Sequence, residues 1–564
     1  MSRVVLCLVA AILFPSVAPG QSQLFLPRPP EAPQTPPRDN TARIGTARIR
    51  GHVFAADTGQ PLRKAQVRVF SAELRENRMA TTDVDGLYEF KDLPAGRYTV
   101  MAQKGSFVQL QYGQLRPFEP GKPLEILDGQ TVGKVDFTLP RGSVIAGRIV
   151  DEFGEPTADV QVMAMRYQYV QGRRRLTPAG RPSMTNDIGE YRIFGLPPGQ
   201  YYVSATLRGM AMGMDATSDD RSGYAPTYFP GTPSVAEAQR VTVNLGQALS
   251  DLNMALAPTR TARISGTAVD SDGKPLVGGF ITVLQRTGTM MFGGGGGQVR
   301  PDGSFTVSNV SPGEYTLAVN ASGGFGATGE TSTAQVTVSG DDINGLRLMG
   351  VKPSTLTGRI IVDPAQTASL TPSTLRLIAT PAHPDDMPFM GNAPGKVNDD
   401  FTFELRARPG EQLIRLSPTV LGWSLKTARY GGVDVSDTGI EIRANEDVSG
   451  IEVELTNNPS EVSGFVTNTR GESVKDYTVV VFAQDQQRWR FGSRYLGQGR
   501  PDQDGRFKLR NLPAGQYYAI ALAYVEPGEG SDPEFLEMVR DRALTFRLNE
   551  GEIKTLDLKL TSGS

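Results

Sequence analysis

The sequence predicts an all-β protein, a tandem array of about five antiparallel β-sandwich modules. Three observations predict it. One cassette recurs, with Asp-Gly, alternating apolar residues, Pro/Ala-Gly and then an aromatic. Its copies are Asp85-Gly86 to Gly96-Arg97-Tyr98, Ile188-Gly189 to Gly199-Gln200-Tyr201, Asp302-Gly303 to Gly313-Glu314-Tyr315 and Asp504-Gly505 to Gly515-Gln516-Tyr517. A degenerate fifth copy runs from Asp400 to Gly410, and the interval is ten residues in every copy. Repetition at this level means an array of similar modules. Short runs also alternate apolar and polar residues with period two between Gly/Pro turns, which is the pattern of half-buried strands. Finally, each module opens on a strand ending in glycine, at Gly51, Gly147, Gly266, Gly358 and Gly464.

In chain order, residues 1–20 read as a signal peptide. Arg3 supplies the charge, Val4 to Val17 an apolar run too short to span a bilayer, and Ala18-Pro19-Gly20 the small residues of a cleavage site. Cys7 is the one cysteine, so cleavage near Gln21 leaves no disulfide, thiol chemistry or Cys-ligated metal. Residues 21–45 are a Pro-rich linker that cannot form a core. Modules follow at 46–140, 141–258, 259–352, 353–457 (divergent) and 458–564, near the usual domain size. No later run approaches membrane-spanning length, so no transmembrane segment is expected in the mature chain. The predicted location is exported: periplasm, cell surface or extracellular. The chain ends just after the strand at Leu560, which argues against fusion to a barrel.

Within a module, the Gly-ended strand passes through a turn such as Asp57-Thr58-Gly59-Gln60-Pro61 or Asp272-Gly273-Lys274-Pro275. A second strand follows, such as Val67-Arg68-Val69, then a variable loop, the Asp-Gly hairpin, and Tyr88-Glu89-Phe90 or its equivalents. The Leu-Pro-Ala-Gly turn feeds Tyr98-Thr99-Val100, and a last strand such as Leu556 to Leu560 closes the unit. One short helix is predicted near 533–541, capped by Asp532 and started by Pro533, with Phe535, Leu536 and Val539 docked on the fifth module. This succession resembles the carboxypeptidase regulatory-like domain, repeated after residue 45. The resemblance implies a transthyretin-like, Greek-key sandwich related to starch-binding-like modules. It also implies an accessory rather than catalytic role. The fourth module departs from the pattern, with Asp400 where Gly is expected and no aromatic after Arg408-Pro409-Gly410.

The chemistry-bearing residues are few. Only His52 and His383 are present, with no H-x-x-E or HExxH spacing, so the chain is read as no enzyme and no cofactor is expected. His383 beside Asp385 and Asp386 is a minor metal candidate. Asp83-Val84-Asp85-Gly86 and Asp502-Gln503-Asp504-Gly505 open like calcium loops but lack the later ligands, so turn chemistry is the simpler reading. The glycine run 293–297 reads as a loop tip. Lys+Arg total 58 against Asp+Glu 60, without the basic footprint that nucleic acid requires.

The loops between the second strand and the Asp-Gly hairpin differ in every module. Met290-Met291-Phe292 and Met387-Pro388-Phe389-Met390 occupy them in modules three and four, and module two adds a second, Met/Gly-rich loop over 209–214. In modules two and five they gather aromatics and arginines: Tyr167, Tyr169 and Arg173, then Arg488, Trp489, Arg490, Phe491, Arg494 and Tyr495. Such residues are typical interface anchors, mounted where sandwich loops cluster. They are the candidate ligand-binding residues, for a polysaccharide or an envelope protein. The competing expectation is that the loops pack their rings against a neighbouring module. The functional reading is a non-enzymatic, exported structural or binding array at the cell envelope. One alternative is carbohydrate binding, which requires exposed, coplanar rings around Trp489 and Tyr495 or Tyr167 and Tyr169. Another is an accessory subunit of an envelope peptidase or transport complex.

Overall fold

Strand Ala47–Ala55 alternates buried and exposed positions along its whole length, and its buried set faces a second sheet. In a computed structural model of the chain, the described residues are 45–561 except 75, 208–221, 286–295, 321–329, 366, 368–369, 384–392 and 418–421. Residues 1–44, which hold the expected signal peptide and most of the proline-rich stretch, therefore lie outside them. So do Met290 to Phe292, the start of the glycine run, Asp385, Asp386, the Met387 to Met390 loop and the Met/Gly loop of module two.

In the first module, Ala47–Ala55 pairs antiparallel with Leu87–Leu93, and Gln66–Phe70 pairs with Arg78–Thr81 and Gly96–Gln103 in the facing sheet. Ile49, Val53, Val67, Val69, Tyr88, Tyr98 and Phe137 fill the space between. Four further clusters of this kind stand in modules two to five. Among the described residues the fold is thus all-β apart from short 3-10 turns and one α-helix, Pro533–Arg540. Asp532 caps that helix by accepting from Glu534 N, and Phe535, Leu536 and Val539 are buried. Each sandwich also contains parallel pairing: the closing segment runs beside the first strand, as in Val53↔Phe137, Ile149↔Met254, Val269↔Met349, Ile360↔Val453 and Val466↔Leu558.

That parallel pairing accounts for the glycine in the opening strand. A Cβ on Gly51 would lie 2.0 Å from Val135 O, and one on Gly266 would lie 1.9 Å from Leu346 O. The closing segment crosses there at backbone contact, and only glycine leaves room.

The cassette aromatic has an equally local cause. Tyr98, Tyr201 and Tyr517 each donate their hydroxyl to the carbonyl four residues back, on Pro94, Pro197 and Pro513, at 2.6 Å. Tyr315 does the same to Ser311 at 2.9 Å. The bond lets a large buried ring keep its one polar atom satisfied while pinning the turn. The Asp-x-Asp-Gly segments are turns of the expected kind. Asp83 Oδ1 accepts from Asp85 N and Leu87 N, and Asp502 Oδ1 from Asp504 N and Arg506 N.

Module four corrects the register read from sequence. The left-handed turn position held by Gly86 (φ 73°), Gly189, Gly303 and Gly505 is held there by Phe401 (φ 65°), not Asp400. The interval from Phe401 to Gly410 is one residue shorter because a bulge is missing. Modules one to three insert Asp92, Gly195 and Asn309, all at positive φ, where the register slips. Ser354–Ile361 against Thr402–Ala407 runs with no slip. The ring of Phe401 packs on the module's core, which helps to offset its strained backbone.

Candidate functional site

The arginine–aromatic residues of modules two and five are spent on packing within their own module and on contacts between modules. Strand Thr478–Ala483 leads through the 3-10 turn Gln486–Arg488, capped by Asp485, so that the next ring turns back inward. Trp489 is buried, donates Nε1 to Ala483 O at 2.6 Å, and meets Phe482 edge-on at 5.4 Å. Together with Leu536 and Val539 of the helix it fills a second core on the outer face of module five. The ring required as an exposed sugar platform is therefore not available, because the helix covers it. Tyr495 is half-buried and stacks on Tyr517 at 6.1 Å, while the Arg488 guanidinium lies 4.0 Å over its other face. The two rings expected to be coplanar and exposed thus point into separate cores. Phe491 and Arg490 are half-buried, and Arg490 Nε has no hydrogen-bond partner.

Arg494 fastens this loop to module four. Its guanidinium binds Asp437, with Nη2 at 2.8 Å, and Nη1 donates to Leu425 O at 3.0 Å and Lys426 O at 2.8 Å. Arg415 adds a bond from Nη2 to Gly492 O at 2.8 Å. Burial pushes the Arg415 guanidinium down to about 10. Burial alone would raise the Asp437 carboxyl, but Arg494 and then Arg415 outweigh it and hold the group below the ordinary 3.8.

The module-two hairpin, Val160–Val170 with Arg173–Pro178, reaches module five rather than solvent. A Cβ on Gly528 would meet Tyr169 O at 2.3 Å, and one on Gly172 would meet Ser531 O at 2.6 Å, so the two backbones touch. Burial and the nearby Glu529 raise the Tyr169 hydroxyl pKa. Arg166 ties three modules together: it lies 3.6 Å over the Phe118 ring of module one and binds Glu526 of module five at 2.9 Å. Tyr167 is the most exposed ring of the set at 37 %, held edge-on to Tyr202 and covered on one face by Arg174. Arg173 is exposed at the hairpin end.

The strongest joint contains residues that the sequence did not single out. Arg500 of module five, 5 % exposed, donates Nη1 to Pro120 O at 2.6 Å and faces Glu119, 3 % exposed, at 3.2 Å. Its Nη2 pairs with Asp476, within its own module. Arg97 Nη1 reaches Lys508 O at 2.7 Å, and Gln503 exchanges two bonds with the Glu125 backbone at 3.0 and 2.9 Å. Lys508 pairs with the Glu125 carboxylate. These partners lie about 380 residues apart in sequence, as Arg500 and Pro120 do. The fifth module therefore contacts the first, second and fourth. Such buried charges need every partner in place, which makes them markers of one specific docking geometry.

His52 sits 3.5 Å from Asp136, and His383 2.8 Å from Glu411. Among the described residues no group of three or more His, Cys, Asp or Glu is arranged to hold a metal ion. Among them, too, no helix is long and apolar enough to cross a membrane.

With this geometry established, comparison with known proteins gives two family matches. Residues 48–140 match the carboxypeptidase regulatory-like domain. Residues 297–344 match polysaccharide lyase family 4, domain II. The regulatory-like match covers the first module, where the strand–Gly, Asp-Gly and Tyr-hydroxyl devices are all present. None of the curated proteins compared matches the chain significantly. Among solved structures, the Bacillus anthracis TIE protein is 15% identical over 54% of this chain, with a TM-score of 0.16. The match spans about half of that protein, 51%. A Streptococcal ancillary pilin is 15% identical over 54% of this chain and 98% of its own, with a TM-score of 0.19. The minor pilin of Streptococcus agalactiae is 11% identical over 38% of this chain and 96% of its own, with a TM-score of 0.21. At such scores nothing functional is carried over from these structures.

Proposed function

We propose that the chain is a non-enzymatic, exported array of carboxypeptidase regulatory-like sandwiches that serves as a structural and binding element at the cell envelope. One observation carries this reading: the buried Arg500–Glu119 joint, which draws the fifth module onto the first. A beaded string needs no such joint. A frame that holds modules at fixed spacing does, and it consumes the arginines and aromatics that a catalytic or sugar-stacking loop would keep free. The family matched over 48–140 is consistent with an accessory role. The partner is a polysaccharide or an envelope protein held at a distance set by the frame.

The reading is tested by expressing the whole chain with its own first 20 residues in a bacterial host and fractionating the cells. The expected product lies outside the cytoplasm, begins near Gln21, and is retained by envelope extract. Product confined to the cytoplasm with its leader intact would refute export. Failure to bind any extract component would leave the frame without a binding role.

A further inference from the structure

The joint between modules two and three differs from the clasped joints, and we propose that it is a carbohydrate-binding cleft with Phe153 as its stacking platform. The proposal deepens the reading of the chain as a binding array, and it places the ligand site away from the arginine–aromatic loops of modules two and five.

Phe153 is 84 % exposed at the tip of a turn whose shape other residues define: Asp151 Oδ1 accepts from Phe153 N at 2.9 Å and Glu155 N at 2.8 Å. The same turn in modules three and five is closed by Asp270 and Asn468 in the same way, with Asp272 and Arg470 at the tip. The turn therefore works with a polar tip, and folding gives no reason for an aromatic there. A lone exposed ring is ordinary on a protein surface, but this one lines a trough together with fixed polar groups, and that combination marks a binding surface.

The ring borders a cleft of about 770 Å³, within the size range of small-ligand sites. Its floor is a two-stranded ribbon found at this joint. Ser222–Tyr224, from the insertion of module two, pairs antiparallel with Pro258–Arg260, the segment leading into module three. A Cβ on Gly223 would lie 2.4 Å from Thr261, so the ribbon is packed tightly beneath the opening. Tyr224 donates its hydroxyl to Glu152 at 2.5 Å, and burial with that carboxylate raises its pKa to about 12. Arg260 and Asn309 face the same space, and Leu207 supplies an apolar wall.

A flat exposed ring, a fixed carboxylate that accepts, a guanidinium that donates and an amide that does both surround one trough, a combination suited to a sugar chain. The ring takes the C–H face, and the planar polar groups take paired hydroxyls. One arginine and one carboxylate leave the cleft near neutral, so the ligand class is a neutral oligosaccharide.

The test prints an array of neutral and uronic-acid oligosaccharides and probes it with the chain 21–564. The best binder is then titrated by calorimetry against Phe153→Thr, Asn309→Ala and Trp489→Phe variants. The expected result is selective retention of neutral oligosaccharides, at least tenfold weaker in Phe153→Thr and Asn309→Ala, and unchanged in Trp489→Phe. Equal binding by wild type and Phe153→Thr overturns the cleft while leaving a binding array standing. Retention of uronic acids alone overturns the neutral class. No retention of any glycan, together with capture of an envelope protein that Phe153→Thr abolishes, assigns the cleft to a protein ligand and overturns the proposal.

Discussion

The joint between modules one and five and the joint between two and three are built from different materials. The first is charged and centred on buried groups: Arg500 and Glu119 are 5 % and 3 % exposed, and the Arg97 and Arg500 guanidinia bind backbone carbonyls, carboxylates or both. The second is a backbone ribbon with an open trough and an aromatic standing in solvent. Buried ion pairs add little over an apolar contact of the same shape, but they forbid alternatives, because an unpaired buried charge is costly. A sheet-like ribbon fixes orientation while leaving side chains free. One joint is thus suited to fixing a geometry, and the other to presenting a surface within it.

The largest effect that would separate them is loss of Arg500. Arg500→Ala removes the buried bonds to Pro120 O and Glu119, leaves Glu119 with Arg116 and the backbone N–H groups of Leu115 and Arg116, and should destabilise the one–five joint by about 1.5–3 kcal/mol. The expected readout is a larger radius of gyration by X-ray scattering, with faster hydrogen exchange at 116–126, while each sandwich keeps its own unfolding transition. Arg141→Ala, which removes an exposed pair with Asp57, should leave the scattering profile unchanged. If both variants scatter like the wild type, the joint is not a clasp.

Acid should act next, at the four–five joint. The folded Asp437 pKa is depressed below 3.8, so its stabilisation is complete above that value and is lost as pH falls through the folded pKa. Hydrogen exchange across Ser424–Tyr430 should therefore accelerate below about pH 3.8. Asp437→Asn should show the fast exchange already at pH 7, and the acid step should vanish. A step that persists in Asp437→Asn would assign it to another carboxylate.

Smaller again is the turn bond of the cassette. Tyr517→Phe keeps the ring and removes a hydrogen bond of 2.6 Å to Pro513 O, for about 1 kcal/mol in module five. This bond also shows what the sequence makes legible. The cassette, the Asp turns and the opening glycine are local devices, since each cause lies within a few residues or in a backbone crossing repeated in every module. Period-two patterning with such devices determines a sandwich. The docking is different. Glu119 and Arg500 look like ordinary surface residues in sequence, because their meeting depends on the positions of three intervening modules. Trp489 misleads for the same reason. A ring flanked by arginines looks like a binding loop until the helix at Pro533–Arg540 is known to cover it. The Phe401 turn is hidden in the sequence because the missing bulge shifts the count by one residue while no glycine marks the turn. Only the backbone angles reveal it.

The smallest effect expected is also the one that bears most on the open joint. Phe153 is 84 % exposed, and its turn is held by Asp151, so Phe153→Thr removes almost no buried area and no hydrogen bond. Its unfolding midpoint should stay within about 0.5 kcal/mol of the wild type, the usual range for surface changes. A loss well beyond that would mean the ring is packed in solution, and the trough would then be filled by the protein itself. Stability unchanged, beside the large loss for Arg500→Ala, would leave the ring with no role in the fold. An aromatic side chain that contributes nothing to folding, at a tip that carries Asp272 in module three and Arg470 in module five, and beside a trough lined by Glu152, Arg260 and Asn309, is then free to serve a ligand.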